Sequence, residues 1–378
     1  MTIMSEPPRP SRRSILARGG AAVLAAGGAL TAGTGPAAAA ADPSPGSALL
    51  VPSARIDLND GSDSWIREKA LQNSTVLQSF GYDSANGRIY LAQVMQGGIR
   101  LADEPAAVSG AERSRHGDLA ITQWDLAGNR LGSMYLRGFG HGVSIGVEPV
   151  GPTAYLWTEV DAVEQADHTS RGTRLARFPF ADGTVLDSTS PALVKHTPVP
   201  GSTVNTASVD PVYGRLVHRY SLGTGLMHYR VHDLALARLG VWDRPLAGID
   251  EPQITVDAAT YGHPAFQGYA AVGRYLYLLH GNAYGSTETV DGTEVVISRP
   301  GIGNTFLSSV DLTTGAVVET RPTKAAYTLD YREPEGLGIH VPDPAQPGVF
   351  RLGLGFASNQ PGTDHRATIY GKDLLVQP

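Results

Sequence analysis

Downstream of residue 53 the chain repeats one pattern of apolar and polar positions five times. An alternating segment is followed by a tight turn containing Gly, Asp or Pro, then by a second alternating segment. The pairs are Gln78–Asp83 with Asn86–Val94, Val143–Glu148 with Thr153–Val160, Asn205–Asp210 with Tyr213–Tyr220, Gln267–Ala270 with Val272–His280, and Glu335–His340 with Val349–Phe356. Period-2 alternation bounded by turn residues predicts strands. A third strand follows at Leu119–Asp125, Thr173–Phe180, Met227–Asp233, Asn304–Asp311 and Ala367–Gly371. A fourth comes after turn signals such as Asp125–Asn129 and Asp311–Gly315, as at Arg130–Leu136 and Ala316–Thr320. Four antiparallel strands per repeat are the grammar of a β-propeller blade.

The anchors Gln78, Val143, Asn205, Gln267 and Glu335 stand 65, 62, 62 and 68 residues apart. Blades of the common size, about 40–45 residues, would leave room for seven. The longer period predicts an all-β, five-bladed β-propeller with long inter-strand loops, forming a single domain over residues 54–378. The fifth blade runs out of chain after its third strand. Ala54–Leu58 is expected to supply the fourth and close the ring, which removes two exposed sheet edges. Ser64–Leu71 is the one short helix expected.

Composition narrows the class. Of 378 residues, 42% are hydrophobic and 17% charged, enough apolar content for a large core. The chain has no cysteine, which excludes disulfides, thiolate metal sites and a cysteine nucleophile. A net charge of −6 argues against a nucleic-acid partner. Ser11–Leu16 carries twin arginines ahead of a mild apolar stretch, Ala21–Leu30, and the small-residue run Ala37–Ala41. Residues 1–41 therefore read as a twin-arginine export signal, and 42–53 as a flexible Pro/Ser/Gly linker. The apolar stretch is too short for a membrane span. Removing residues 1–41 leaves 26 basic and 35 acidic side chains, a net charge of −9. A secreted or wall-associated monomer is expected.

Several runs resemble a known family: Gly138–Pro149, Ala154–Glu159, Thr173–Phe178, Phe266–Tyr269 and Arg332–Gly336. Together they are similar to the secreted actinobacterial proteins labelled teichoic acid biosynthesis protein C, or phage baseplate protein. The resemblance implies a β-propeller shared with phage receptor-binding proteins, and a cell-wall glycopolymer as partner. It implies no particular reaction.

Candidate chemistry sits where the innermost strands begin. Four of the five anchors are polar: Gln78, Asn205, Gln267 and Glu335. Residues two positions earlier share a strand face, which adds His141 and Glu333. This set predicts a polar funnel at one channel mouth, suited to sugar hydroxyls. His141 lies between glycines in Gly138–Gly142, where a ligand can approach the backbone. A neutral imidazole there can serve as general base. Arg137 and Tyr135 are close in sequence and suit a carboxylate or phosphate. Glu333 and Glu335 flank Pro334 after Arg332; at i,i+2 spacing their Cα atoms lie about 7 Å apart, which suits hydrogen bonding as well as acid–base work.

Two functions compete. One is a binding module that recognises a teichoic-acid-like or uronic-acid-containing polymer at the mouth through Gln78, Tyr135, Asn205, Gln267, Tyr269, Arg332 and Glu333. The other is a polysaccharide lyase or glycoside hydrolase, with His141, Arg137 and Glu335 as its catalytic set and Tyr135 or Tyr269 assisting. No cofactor and no metal-ligating residues are expected from the sequence. Gly142–Gly146 fits the G-x-S-x-G pattern, but Ser144 is placed inside a strand with no helix after it, so a serine hydrolase is rejected.

Overall fold

The computed structural model describes residues 50–290, 292–359 and 364–378. Residues 1–41, read above as an export signal, and 42–49 of the expected linker lie outside the described residues.

Two strands precede the first blade, β1 (Arg55–Ile56) and β2 (Asp63–Ala70). Blade one is β3 (Leu77–Asp83), β4 (Arg88–Val94), β5 (Leu119–Asp125) and β6 (Arg130–Arg137), with helix α1 (Gly110–His116) between β4 and β5. Blade two is β7 (Gly146–Val150), β8 (Thr153–Glu164), β9 (Ser170–Pro179) and β11 (Val194–His196). Between its last two strands, β10 (Val185–Asp187) crosses over to pair in parallel with β6. Blade three is β12 (Thr203–Asp210), β13 (Arg215–Ser221), β14 (Met227–Asp233) and β15 (Ala247–Asp250), with α2 (Leu234–Arg238) before β15 and α3 (Ala258–Tyr261) after it. Blade four is β16 (Phe266–Val272), β17 (Tyr275–His280), β20 (Phe306–Asp311) and β21 (Val317–Pro322), interrupted by the hairpin β18 (Thr287–Val290) and β19 (Thr293–Val296). Blade five is β22 (Glu333–His340), β23 (Arg351–Ser358), β24 (Arg366–Lys372) and, from the other end of the chain, β2; β25 (Leu375–Val376) follows.

The ring has five blades and an N-terminal closing strand, but that strand is not the expected one. Asp63–Ala70 pairs with β24, while Arg55–Ile56 pairs with Leu375–Val376 in a separate two-stranded sheet. The segment expected to be helical is therefore the closing strand. Its Arg, Glu and Lys favour a helix locally, but pairing to β24 buries Ile66 and stacks Trp65 on Tyr82 at 5.4 Å. Its charged side chains belong to a strand at the free edge of the sheet, where they discourage further pairing. Ile56 and Leu58 instead enter a core cluster with Tyr277, Leu337, Leu352 and Leu354 of blades four and five.

In every blade the first strand starts at the same end of the channel. Antiparallel alternation then puts the loops between second and third strands on that face, together with the inter-blade loops. This face carries the long connections: 95–118, 251–265 and 281–305. It is the mouth. Both termini of the described chain lie on the opposite face. There Ser53 Oγ accepts a hydrogen bond from Arg274 N at 2.9 Å, and β1 meets β25 just beyond the end of β24.

Candidate functional site

The anchor positions coincide with irregularities. Pairing slips at Gln78 in β3, at Val204–Asn205 in β12, at Gln267 in β16 and at Glu335–Gly336 in β22. A bulge breaks the alternation of side chains and re-aims them. The expected placement of each anchor and the residue two before it on one strand face therefore does not follow from strand geometry. Blade two has no bulge, because Val143 and Ser144 precede its strand in a loop. Ser144 is thus not in a strand, as the sequence suggested. Its Oγ is buried and donates to the Ala207 carbonyl at 2.9 Å, and no helix follows.

One residue after each anchor comes a small side chain, and these five fasten the inner strands to one another. Ser79 Oγ donates to the Gly142 carbonyl at 2.6 Å, Ser144 Oγ to that of Ala207, and Thr206 Oγ1 lies 3.3 Å from Tyr269 Oη. A Cβ on Gly268 would stand 2.8 Å from Gly336 Cα, and one on Gly336 would stand 2.9 Å from Ser79 Cα. The circuit runs from blade one through to five and back. It brings the backbones at Gln78, Gln267 and Glu335 together, with Gly142, the neighbour of His141, beside them. Deeper in the channel, Gly81, Ile145, Val147, Val209 and Leu337 leave a cavity of about 10 Å³, no more than one water occupies. The channel at this depth has no room for anything larger than water.

His141 is half-buried in the loop between β6 and β7. Its loop is held by Glu159, whose carboxylate accepts the N–H groups of His141 at 2.9 Å, Gly142 at 2.8 Å and Gly172 at 2.5 Å. Burial nevertheless pushes the Glu159 carboxyl up, against the pull of Arg171. Gly140, at φ 148°, is required here because any Cβ would collide with the Glu159 carboxyl group. The His141 Nδ1 has no partner among the described residues. Burial, then Arg171, holds the imidazole down to about 3, so it is neutral.

Glu333 and Glu335 differ in their partners. Tyr331 Oη donates to Glu333 at 2.6 Å, whereas the nearly buried Glu335 has no hydrogen-bond partner among the described residues. Burial pushes both carboxyls up, and Glu333 adds to the rise at Glu335. Gln267 Nε2 donates to the Gly281 carbonyl at 2.9 Å, and Gln78 is half-buried. His365 is buried against Tyr331 at 5.6 Å between ring centroids.

Five expected site residues lie elsewhere. Asn205 is buried, accepting from His218 Nε2 at 2.7 Å and Ser202 Oγ at 2.9 Å. Tyr269 is buried between blades three and four, its Oη donating to the Val217 carbonyl at 3.2 Å. Arg332 is fully buried, bonded to Thr305 Oγ1 at 2.6 Å and the Ala325 carbonyl at 2.8 Å and stacked 4.6 Å from the Phe356 ring centre. Tyr135 and Arg137 belong to β6, the outermost original strand of blade one. Arg137 there pairs with Asp103 at 2.7 Å and Asp187 at 3.1 Å. The charges that act on His141 are Arg171 and Asp167, from the β8–β9 hairpin. The proton-abstracting set of His141, Arg137 and a tyrosine is therefore not assembled. The role of Glu159 in holding this loop leaves no side-chain signature in sequence, because its partners are backbone groups.

Among the described residues no cluster of three or more His, Asp or Glu could hold a metal ion, and no helix is long and apolar enough to cross a membrane.

Comparison with known proteins agrees with this architecture. A curated relative, "Putative major teichoic acid biosynthesis protein C" of Bacillus subtilis (strain 168), is 27% identical over 300 residues, covering 78% of this chain and 59% of the relative. The chain thus spans about three fifths of the length of that relative. Among solved structures, the tail fiber of Staphylococcus aureus phage P68 superposes with a TM-score of 0.59 at 20% identity, over 84% of this chain and 54% of the fiber. That likeness is one of fold. Residues 76–371 match the family model described as the phage 5-bladed beta propeller receptor binding platform domain, and the chain belongs to that family.

Proposed function

We propose that this propeller is an exported recognition module that binds a hydroxyl-rich cell-envelope glycopolymer, teichoic-acid-like or uronic-acid-containing, across its mouth. The observation that carries the reading is Glu335. It is a nearly buried carboxyl with no hydrogen-bond partner among the described residues, held where the bulges gather Gln78 and Gln267 beside the His141 loop. A binding site combines a shaped surface with a few well-placed polar groups. Amides, a neutral imidazole and a carboxyl whose charge is disfavoured by burial suit neutral hydroxyls better than free anions. The family's receptor-binding description and the relative's teichoic acid name support a wall polymer as partner. The twin arginines at residues 12 and 13 support export.

The test is co-sedimentation of the purified protein with cell walls before and after teichoic acid is stripped, alongside uronic-acid polymers. Retention lost on stripping, with no release of shorter or unsaturated fragments, is expected. His141→Ala, Gln78→Ala and Glu335→Gln should each weaken retention, by about 1–3 kcal/mol where a buried hydrogen bond to ligand is lost. Ser144→Ala, whose hydroxyl is committed to Ala207, should bind as before. Equal retention on stripped walls, or a loss confined to Ser144→Ala, would overturn the assignment.

A further inference from the structure

The mouth is not the only concave surface on this face. A cavity of about 320 Å³ opens at the rim of blade one, between the 95–118 loop and the paired ends of β6 and β10. Arg113, from α1, is buried in its wall at 1% exposure, clamped by Glu104 at 2.5 and 2.6 Å and by Asp118 at 2.8 Å. Arg137 forms another wall, between Asp103 and Asp187. Val108 is the one apolar side chain in the lining. The walls are preformed. Ser109 and Glu112 cap α1 reciprocally, and Gly98 N donates to the Val108 carbonyl at 2.9 Å. Gly138 N donates to Asp118 at 3.2 Å, while Phe139 N and Gly140 N donate to the Gly117 carbonyl. The cavity and the His141 loop are therefore two sides of one short segment.

Two guanidinium groups here keep a buried N–H without an acceptor among the described residues, the Nε of Arg113 and the Nε of Arg137. Beside them, Glu104, Asp118 and Asp187 crowd acceptor oxygens around the same space. A phosphate offers only acceptors and would face these carboxylates. An ammonium group offers only donors and would face two arginines. A hydrocarbon would find one valine. A hydroxyl both donates and accepts, and several of them on adjacent carbons match the alternation of carboxylate and guanidinium. The volume falls in the range of small-molecule sites, roughly 300–1,000 Å³.

We propose that this rim cavity is a second binding site, separate from the mouth, for a neutral polyol or sugar unit held between Arg137 and the Asp187 and Glu104 carboxylates. The site stands on its own groups and does not depend on the mouth reading. The test follows the arginine Nε–H resonances of nitrogen-15-labelled protein during titration with glycerol and with ribitol. Saturable shifts at Arg113 and Arg137 are expected. Asp187→Asn should weaken the titration about tenfold, the scale of one hydrogen bond to a charged group. Glu335→Gln, at the mouth, should leave it unchanged, which separates the two sites. Unmoved arginine resonances at saturating polyol, or shifts with methylammonium or inorganic phosphate but neither polyol, would overturn the proposal.

Discussion

Gly268 of blade four and Gly336 of blade five meet backbone to backbone, so that a Cβ on the first would stand 2.8 Å from the Cα of the second. No flexible side chain is there to yield. Gly268 also has φ 143°, where a side chain is strained. Gly268→Ala is expected to destabilise the fold by about 1–3 kcal/mol, the usual cost of overpacking. Gly285→Ala, with φ 91° but open space around it, carries only the backbone strain and should cost less. Urea unfolding of the two variants makes the comparison.

Glu159 gathers three N–H groups from the β6–β7 loop and β9, so removing it strands two buried donors and one part-buried donor. Glu159→Ala should cost about 1–3 kcal/mol or more and open the His141 loop. Amide hydrogen exchange reads this directly. The amides of His141, Gly142 and Gly172 should exchange faster in the variant, while those in β13 stay protected. Unchanged exchange at all three would show that the loop is held by other contacts.

The closing strand sets the minimum length of a soluble chain. A chain starting at Leu50 keeps β1, β2 and the Ser53 bond to Arg274, and should fold as the full-length protein does. A chain starting at Leu71 lacks β2 and exposes the free edge of β24. It should aggregate, because an unpaired central-type strand edge templates further pairing. Light scattering after expression distinguishes the two, and equal solubility would contradict the closure.

His232 is buried against Trp242, at 5.0 Å between ring centroids, and neither ring nitrogen has a partner among the described residues. Burial, then Arg230, holds it down to about 3. The unfolded chain takes up this proton near pH 6.5 while the folded chain resists until about 3. The unfolded state thus binds more protons across that window, and stability falls as pH drops through it. At pH 5 this single group accounts for about 2 kcal/mol of the loss. His232→Phe should lessen the fall in stability between pH 7 and pH 5 by about that amount, measured by urea unfolding at both values. The carboxyl of Asp210, pushed up to about 6 by burial, acts with the opposite sign between roughly pH 4 and 6 in both proteins, so the difference isolates His232.

The blade plan was legible because alternation is a local signal, and each repeat carries its own turns. Third strands such as Leu119–Asp125 and Met227–Asp233 match the sequence reading residue for residue. The closing strand was not legible, since Arg67, Glu68 and Lys69 answer to an edge that exists only when the two ends of the chain meet. The anchors were found at the right register but for an incomplete reason. Gln78, Gln267 and Glu335 are polar where bulges break the inner strands, and Asn205, at the same register, spends its amide on Ser202 and His218. Sequence spacing also made Arg137 a neighbour of His141. Yet Arg137 ends an outermost strand, and the chain crosses the full width of the blade before reaching the next inner strand.

β1 and β25 bring residues 55 and 376 side by side on the back of the ring. Both ends of the described chain therefore leave from the side opposite the mouth. The mouth and the rim cavity are then presented outward together, like the face of a dish on its mount, and two attachments would share one side without shading the other.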